Sequence, residues 1–144
     1  MNHIKYLTLV TICFFAVNAF ADDFPSIKCN TKDKVEVDGV PDTSCWVASA
    51  SFSVSMDVNE GDVSVFSLQV YDVQLKVDGK EKYVRLTIGS DKPRFNEIQA
   101  LMQTAYATRS VIAAIFPNPN IENTSCFING DLVYCPIQAL MLSH

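Results

Sequence analysis

Histidine is nearly missing from this 144-residue chain: His3 lies close to its start and His144 is its last residue. A Ser–His or Cys–His nucleophile pair therefore has no base to call on, and a zinc site has little imidazole to draw from. Glycine is scarce too, with five in all and none grouped into a phosphate-cradling loop. Cations are outnumbered. Beyond residue 21 there are ten Lys and Arg (eleven less Lys5) against sixteen Asp and Glu, a net charge of −6. Phosphate backbones are bound by clustered Lys and Arg, whereas Lys28, Lys32, Lys34 and Lys76, Lys80, Lys82 alternate with acids. No nucleic-acid partner, cofactor or metal is expected, and no enzyme. Only paired-carboxylate hydrolysis stays open among scattered Asp and Glu. No apolar run approaches the ~20 residues that span a bilayer as a helix.

What is present at the start is an export signal. Lys5 gives a positive n-region, Leu7 to Val17 an apolar h-region, and Ala19-Phe20-Ala21 a small-x-small cleavage pattern. Residues 1–21 read as a signal peptide and residues 22–144 as one secreted domain, with the periplasm as an intermediate. Cys13 leaves with the signal, and Cys29, Cys45, Cys126 and Cys135 remain. An even count in an exported chain implies two disulfides, for which three connectivities exist; pairing of sequence neighbours is the simplest.

The patterning is mainly β with one helix. Ile27 apart, residues 22–33 read as polar and irregular; Val35 and Val37 suggest a short strand before the Asp38–Asp42 turn cluster. A strand is expected from Cys45 through Val47, Phe52 and Val54, ending in a turn at Asn59–Asp62. Val63 to Val77 is the longest strand signal. Its apolar residues change phase, from Phe66, Leu68 and Val70 to Tyr71, Val73, Leu75 and Val77, which predicts a bulge or sharp bend. Asp78-Gly79 signals a hairpin. The helix signal follows, with Ser90 or Asp91 as cap and Pro93 in the first turn. Phe95, Ile98, Leu101, Met102, Ala105 and Tyr106 share an arc of about 140°. Opposite them, Asn96, Ala100, Gln103 and Ala107 form a small, neutral stripe that suits either a second subunit or solvent. Val111–Phe116 is an apolar strand stopped by prolines, and Ile137–Leu142 another. If Cys126 bonds Cys135 across a hairpin, Gly130-Asp131 falls at its centre in the order a type II′ turn prefers. The register then pairs Asn129 with Leu132, Ile128 with Val133 and Phe127 with Tyr134, leaving the cysteines about 4.5 Å apart at Cα.

The stretch Phe95–Thr108 followed by Arg109–Phe116 resembles the core of the binding subunits of bacterial AB5 toxins, most closely the pertussis-toxin and subtilase-cytotoxin type. In that family a helix ending in an aromatic–Ala/Thr–Thr–Gly-like turn leads into a strand. An early disulfide bridges a strand–loop–strand, where Cys29 and Cys45 fall, and a late one takes the place of Cys126 and Cys135. The resemblance runs over 45–142 in outline and 93–135 in detail. It implies an OB-fold, a small five-stranded barrel plus helix, assembled as a homo-oligomeric ring of five. That ring would attach to host glycans on glycoprotein or glycolipid and deliver a catalytic A subunit. The competing expectation is a monomeric periplasmic or secreted disulfide-bonded domain that binds or inhibits a protein.

For glycan contact the candidates are Tyr71, flanked by Asp72 and Gln74, and Tyr83, flanked by Lys82 and Arg85 on its strand. Trp46 is expected to pack on the bridge beside it.

Overall fold

The computed structural model describes residues 25–58 and 63–143; the export segment 1–21, the Asn59–Asp62 turn and His144 lie outside them. Among the described residues the order is β1 Ser26–Cys29, β2 Ser44–Ser49, β3 Phe52–Val58, β4 Ser64–Val77, β5 Lys80–Gly89, α1 Phe95–Thr108, β6 Val111–Pro117, β7 Phe127–Asn129, β8 Leu132–Pro136 and β9 Ala139–Ser143. The chain is thus mainly β with one helix. Hydrogen bonding divides the strands into a four-stranded sheet, β1-β2-β6-β9, and a five-stranded sheet, β3-β4-β5-β8-β7. They do not close into a barrel. All pairs are antiparallel except β5–β8.

The expected strand from Cys45 onward is split. β2 belongs to one sheet and β3 to the other, with Ala50-Ser51 as the corner between them. Every residue of β2 is buried. Cys45 and Val47 face the main core between the sheets, while Trp46 and Ala48 face a second cluster with Val37, Val40, Ala113, Ile115 and Met141. Adjacent strand residues point to opposite faces, so Trp46 packs away from the Cys45 bridge and not upon it. Double-sided burial also explains why Val111–Phe116 reads as a continuous apolar run without alternation.

The outer cluster is covered by loop 30–43, where the expected Val35–Val37 strand does not form. Val35 is exposed, and Val37 is buried without a ladder. Its backbone is served by the side chain of Asn30, which is fully buried. Asn30 Nδ2 donates to the carbonyls of Val37 and Val40, both at 2.9 Å, and its Oδ1 accepts from the amides of Glu36 (2.8 Å) and Val37 (2.9 Å). Four backbone groups are satisfied by one side chain, which replaces a strand partner.

Both disulfides join sequence neighbours. Cys29 and Cys45 are directly paired between β1 and β2 with Cα atoms 4.0 Å apart, and Cys126–Cys135 has 4.4 Å. The terminal hairpin has the expected register, Phe127↔Tyr134, Ile128↔Val133 and Asn129↔Leu132. Gly130 supplies the positive φ (61°) of its turn. In the long hairpin, Asp78 (φ 51°) and Gly79 (φ 80°) are both left-handed, as a type I′ turn requires. The phase change in β4 is a bulge: Gln69 pairs with Arg85 and Gln74 with Tyr83, so Val70–Val73 oppose Val84 alone.

Helix α1 packs on β3 and β9, burying Ile98, Met102 and Ala105, with Phe95 and Leu101 half-buried. Burying a side chain such as Ile98 or Met102 contributes about 1.5–3 kcal/mol. Neither Ser90 nor Asp91 caps the helix. Ser90 instead extends the β4–β5 pairing, its amide donating to Ser64 O (2.7 Å) and its Oγ accepting from the Ser64 amide (3.0 Å). The N-cap is Arg94 (φ 67°), which places Pro93 outside the first turn. Tyr106, counted above in the core arc, is 56 % exposed, because it sits at the arc's margin in the last turn.

Candidate functional site

The Ala50-Ser51 corner, the β4 bulge and the end of α1 meet at one place, and local hydrogen bonds fix them there. The Tyr71 amide donates to Ser51 O at 2.9 Å. Buried Ser49 donates from Oγ to Asp72 Oδ1 (2.7 Å), and its Oγ accepts from the Ser51 amide (3.0 Å). Tyr71 Oη and Ser53 Oγ share a further bond of 2.9 Å. The bulge provides the extra residues that bring Tyr71 out of the ladder and onto the corner.

Between these residues and the helix end lies an open cleft of about 500 Å³, lined by Ser51, Phe52, Tyr71, Tyr106, Ala107 and Arg109 among others. Tyr71 is 49 % exposed and Tyr106 is 56 % exposed, so two aromatic faces stand free on its walls. Tyr106 is steadied by an edge contact with Phe52, with centroids 6.5 Å apart. Arg109 is the C-cap of α1, held left-handed at φ 54° by its amide bond to Ala105 O. For a residue other than glycine that conformation costs about 1–2 kcal/mol. Among the described residues nothing pairs with its guanidinium. The cleft therefore offers two ring faces, hydroxyls and a free five-donor cation.

The two glycan candidates are not brought together. Tyr71 lies on the cleft; Tyr83 lies on β5, half-buried, opposite Gln74 and Leu132, with its amide bonded to Asp131 O (2.8 Å). Its polar neighbours are engaged elsewhere. Lys82 Nζ donates to Gly130 O, and Arg85 donates to Ser55 Oγ at 2.9 Å while its guanidinium stands 5.8 Å from the Tyr134 ring centre. Sequence reasoning names Tyr106 among the aromatics able to stack on a sugar but assigns it to the core arc, and it does not single out Arg109. The one available signal was a large cation at the position after a helix where glycine is the easy choice.

Asn96, Ala100, Gln103 and Ala107 are all exposed and form the outward stripe of α1, with Ala107 also on the rim of the cleft. Among the described residues no three side chains gather as a metal-binding group, and no helix is long and apolar enough to cross a membrane. The two disulfides fit an oxidising compartment, extracellular or periplasmic. Comparison of the chain with protein-family models, with curated proteins and with solved structures finds no match.

Proposed function

We propose that this chain is a secreted glycan-binding subunit of the AB5 toxin type, using the Tyr71–Tyr106 cleft as its sugar site. The observation that carries the reading is that cleft: small-ligand sites join aromatic walls to a few fixed polar groups, in volumes of about 300–1,000 Å³. We read the two sheets as an open variant of the OB type, a reading that the strand pairings support. If β2–β3 and β8–β9 are each one strand bent across a corner, the pairings β2–β6, β3–β4, β4–β5, β5–β8 and β6–β9 form a cycle of five strands with one parallel closure. Such scaffolds serve oligosaccharide binding, among many other roles.

The exposed neutral stripe of α1 would be the contact that assembles five copies into a ring. Single sugar sites are weak, and repetition would raise avidity by roughly 10²–10⁴. A catalytic A subunit would ride on that ring, exported with it through the periplasm.

The test is a glycan array probed with residues 22–144, beside light scattering. The expected result is a mass near five chains and host-glycan binding that Tyr71→Ala or Tyr106→Ala lowers at least tenfold, with Tyr83→Ala near wild type. Ala100→Glu should dissociate the ring and leave a folded monomer. A wild-type monomer that binds no glycan would sink this reading and favour a monomeric protein-binding or inhibitor domain.

A further inference from the structure

A second cleft lies at the other end of α1, where β8 leaves β5 and crosses to β6. The parallel pairing of the two strands runs to Thr87↔Pro136. Ile137 still donates from its amide to Thr87 O (2.9 Å), but the next amide, Gln138, donates to Ile115 O (2.8 Å) in the other sheet. The chain changes sheets within one residue. That separation opens a cleft of about 400 Å³ between the end of β5, the crossing residues and the start of the helix.

The two clefts differ in chemistry. This one has mostly carbon walls, from Ile88, Ile98, Pro136 and Ile137, where the first offers hydroxyls. Lys92 and Arg94 line it too, on the turn before the helix, and no acidic residue does. The Lys92 ammonium makes no ion pair or hydrogen bond among the described residues. In a chain whose net charge is −6 beyond residue 21, two cations border an apolar hollow, with the Asp91 carboxylate next to Gly89 at its margin.

We propose that this cleft captures the end of a partner protein's chain: an aliphatic C-terminal residue whose side chain lies on Ile88, Ile98 and Ile137 and whose carboxylate meets Lys92 and Arg94. A chain terminus carries an aliphatic group and a carboxylate on one carbon, which matches isoleucines next to cations. A sugar would leave hydroxyls against isoleucine without partners, at a cost in desolvation. Capture of a terminal carboxylate is an established mode of peptide recognition. The inference does not depend on the glycan reading, since it uses a different cleft and different residues.

The experiment is an NMR titration of residues 22–144, labelled at the isoleucine methyls, with N-acetyl-leucine and with N-acetyl-leucinamide, its uncharged counterpart. The acid should shift the Ile88, Ile98 and Ile137 methyls saturably, with a dissociation constant on the order of 1–10 mM for so small a probe. The amide should bind at least fivefold more weakly. Lys92→Gln with Arg94→Gln should bring the acid down to the amide's affinity while the remaining resonances stay those of the folded protein; if the pair unfolds, Lys92→Gln alone should weaken the acid at least twofold. Acid and amide titrating alike, no saturable shift, or shifts at other isoleucines would overturn the proposal.

Discussion

Replacing Cys29 and Cys45 together by alanine probes the edge on which the outer cluster depends. The bridge joins directly paired residues across a sequence separation of 16. For a closed loop of that length the chain-entropy relation gives about 3 kcal/mol at 25 °C. The relation gives nearly as much for Cys126–Cys135, separation 9, so size does not distinguish the two bridges; location does. β1 is four half-buried residues paired only with β2. The next residue, Asn30, anchors the loop that lays Val37 and Val40 over Trp46. Cys45 is fully buried, so truncating its side chain also leaves a small void. The expected loss is about 3–4 kcal/mol, read as a shift of the urea midpoint, or a fall in Tm of roughly 12–16 °C at about 4 °C per kcal/mol. Trp46 is the sole tryptophan and is 1 % exposed, so its emission should move to the red as the loop lifts, before global unfolding. A loss below about 1 kcal/mol, with Trp46 emission unchanged, would refute the argument that this bridge holds the outer layer.

Asn30→Ala leaves four backbone groups to find new partners and should cost at least about 3 kcal/mol by urea unfolding, with Asn30→Asp recovering only the Oδ1 half. Ser49→Ala removes the bond to Asp72 and should weaken ligand binding at Tyr71 severalfold in a titration, though Ser49 itself is buried beneath the corner. Asp78→Gly should be neutral or stabilising by up to about 1 kcal/mol in thermal melts, since the type I′ turn holds Asp78 left-handed. The Glu36 carboxyl is held below its ordinary range by its bond to the Lys34 ammonium, then by the Cys29 amide. A depressed folded pKa means stability that is present above the unfolded value of about 4.3 and lost as pH falls through the folded one. Glu36→Gln should therefore flatten the stability profile below about pH 4.3 and leave its shape above that unchanged.

Features set by neighbouring residues were legible in the chain. Asp78-Gly79 and Gly130-Asp131 are turns whose φ angles belong to those residue types, and the phase change at Val70/Tyr71 is the bulge written as periodicity. Cys126 and Cys135 agreed with the second turn because both obey one register. What depended on distant partners was not legible. β1 has no strand pattern of its own; it forms because Cys29 lies opposite Cys45 and Ser26–Lys28 then meet Ala48–Trp46. Val37 looks like a strand residue, yet its carbonyl and amide go to a side chain seven residues away. The Ala50-Ser51 corner carries no glycine or proline to announce it.

That corner and its counterpart at Ile137-Gln138 tie the architecture to the sites. A strand that stayed in one sheet would have one neighbour per edge and leave no opening. By crossing, β2–β3 and β8–β9 each join two sheets, which allows a core between them and closes much of the edge they would otherwise expose. At each crossing the ladder must part, and α1 is long enough, at fourteen residues or about 21 Å, to reach from one gap to the other. The helix covers the core between β3 and β9 and leaves a hollow at each end. Which residues border the hollow then decides its chemistry. At the C-terminal end the bulge delivers Tyr71 and the helix delivers Tyr106 and Arg109, so the hollow is polar and aromatic. At the N-terminal end β5 and the crossing residues deliver isoleucines, and the preceding turn delivers Lys92 and Arg94. Both clefts thus follow from the same kind of backbone crossing, and a change that straightened either crossing would erase its cleft while leaving the other intact.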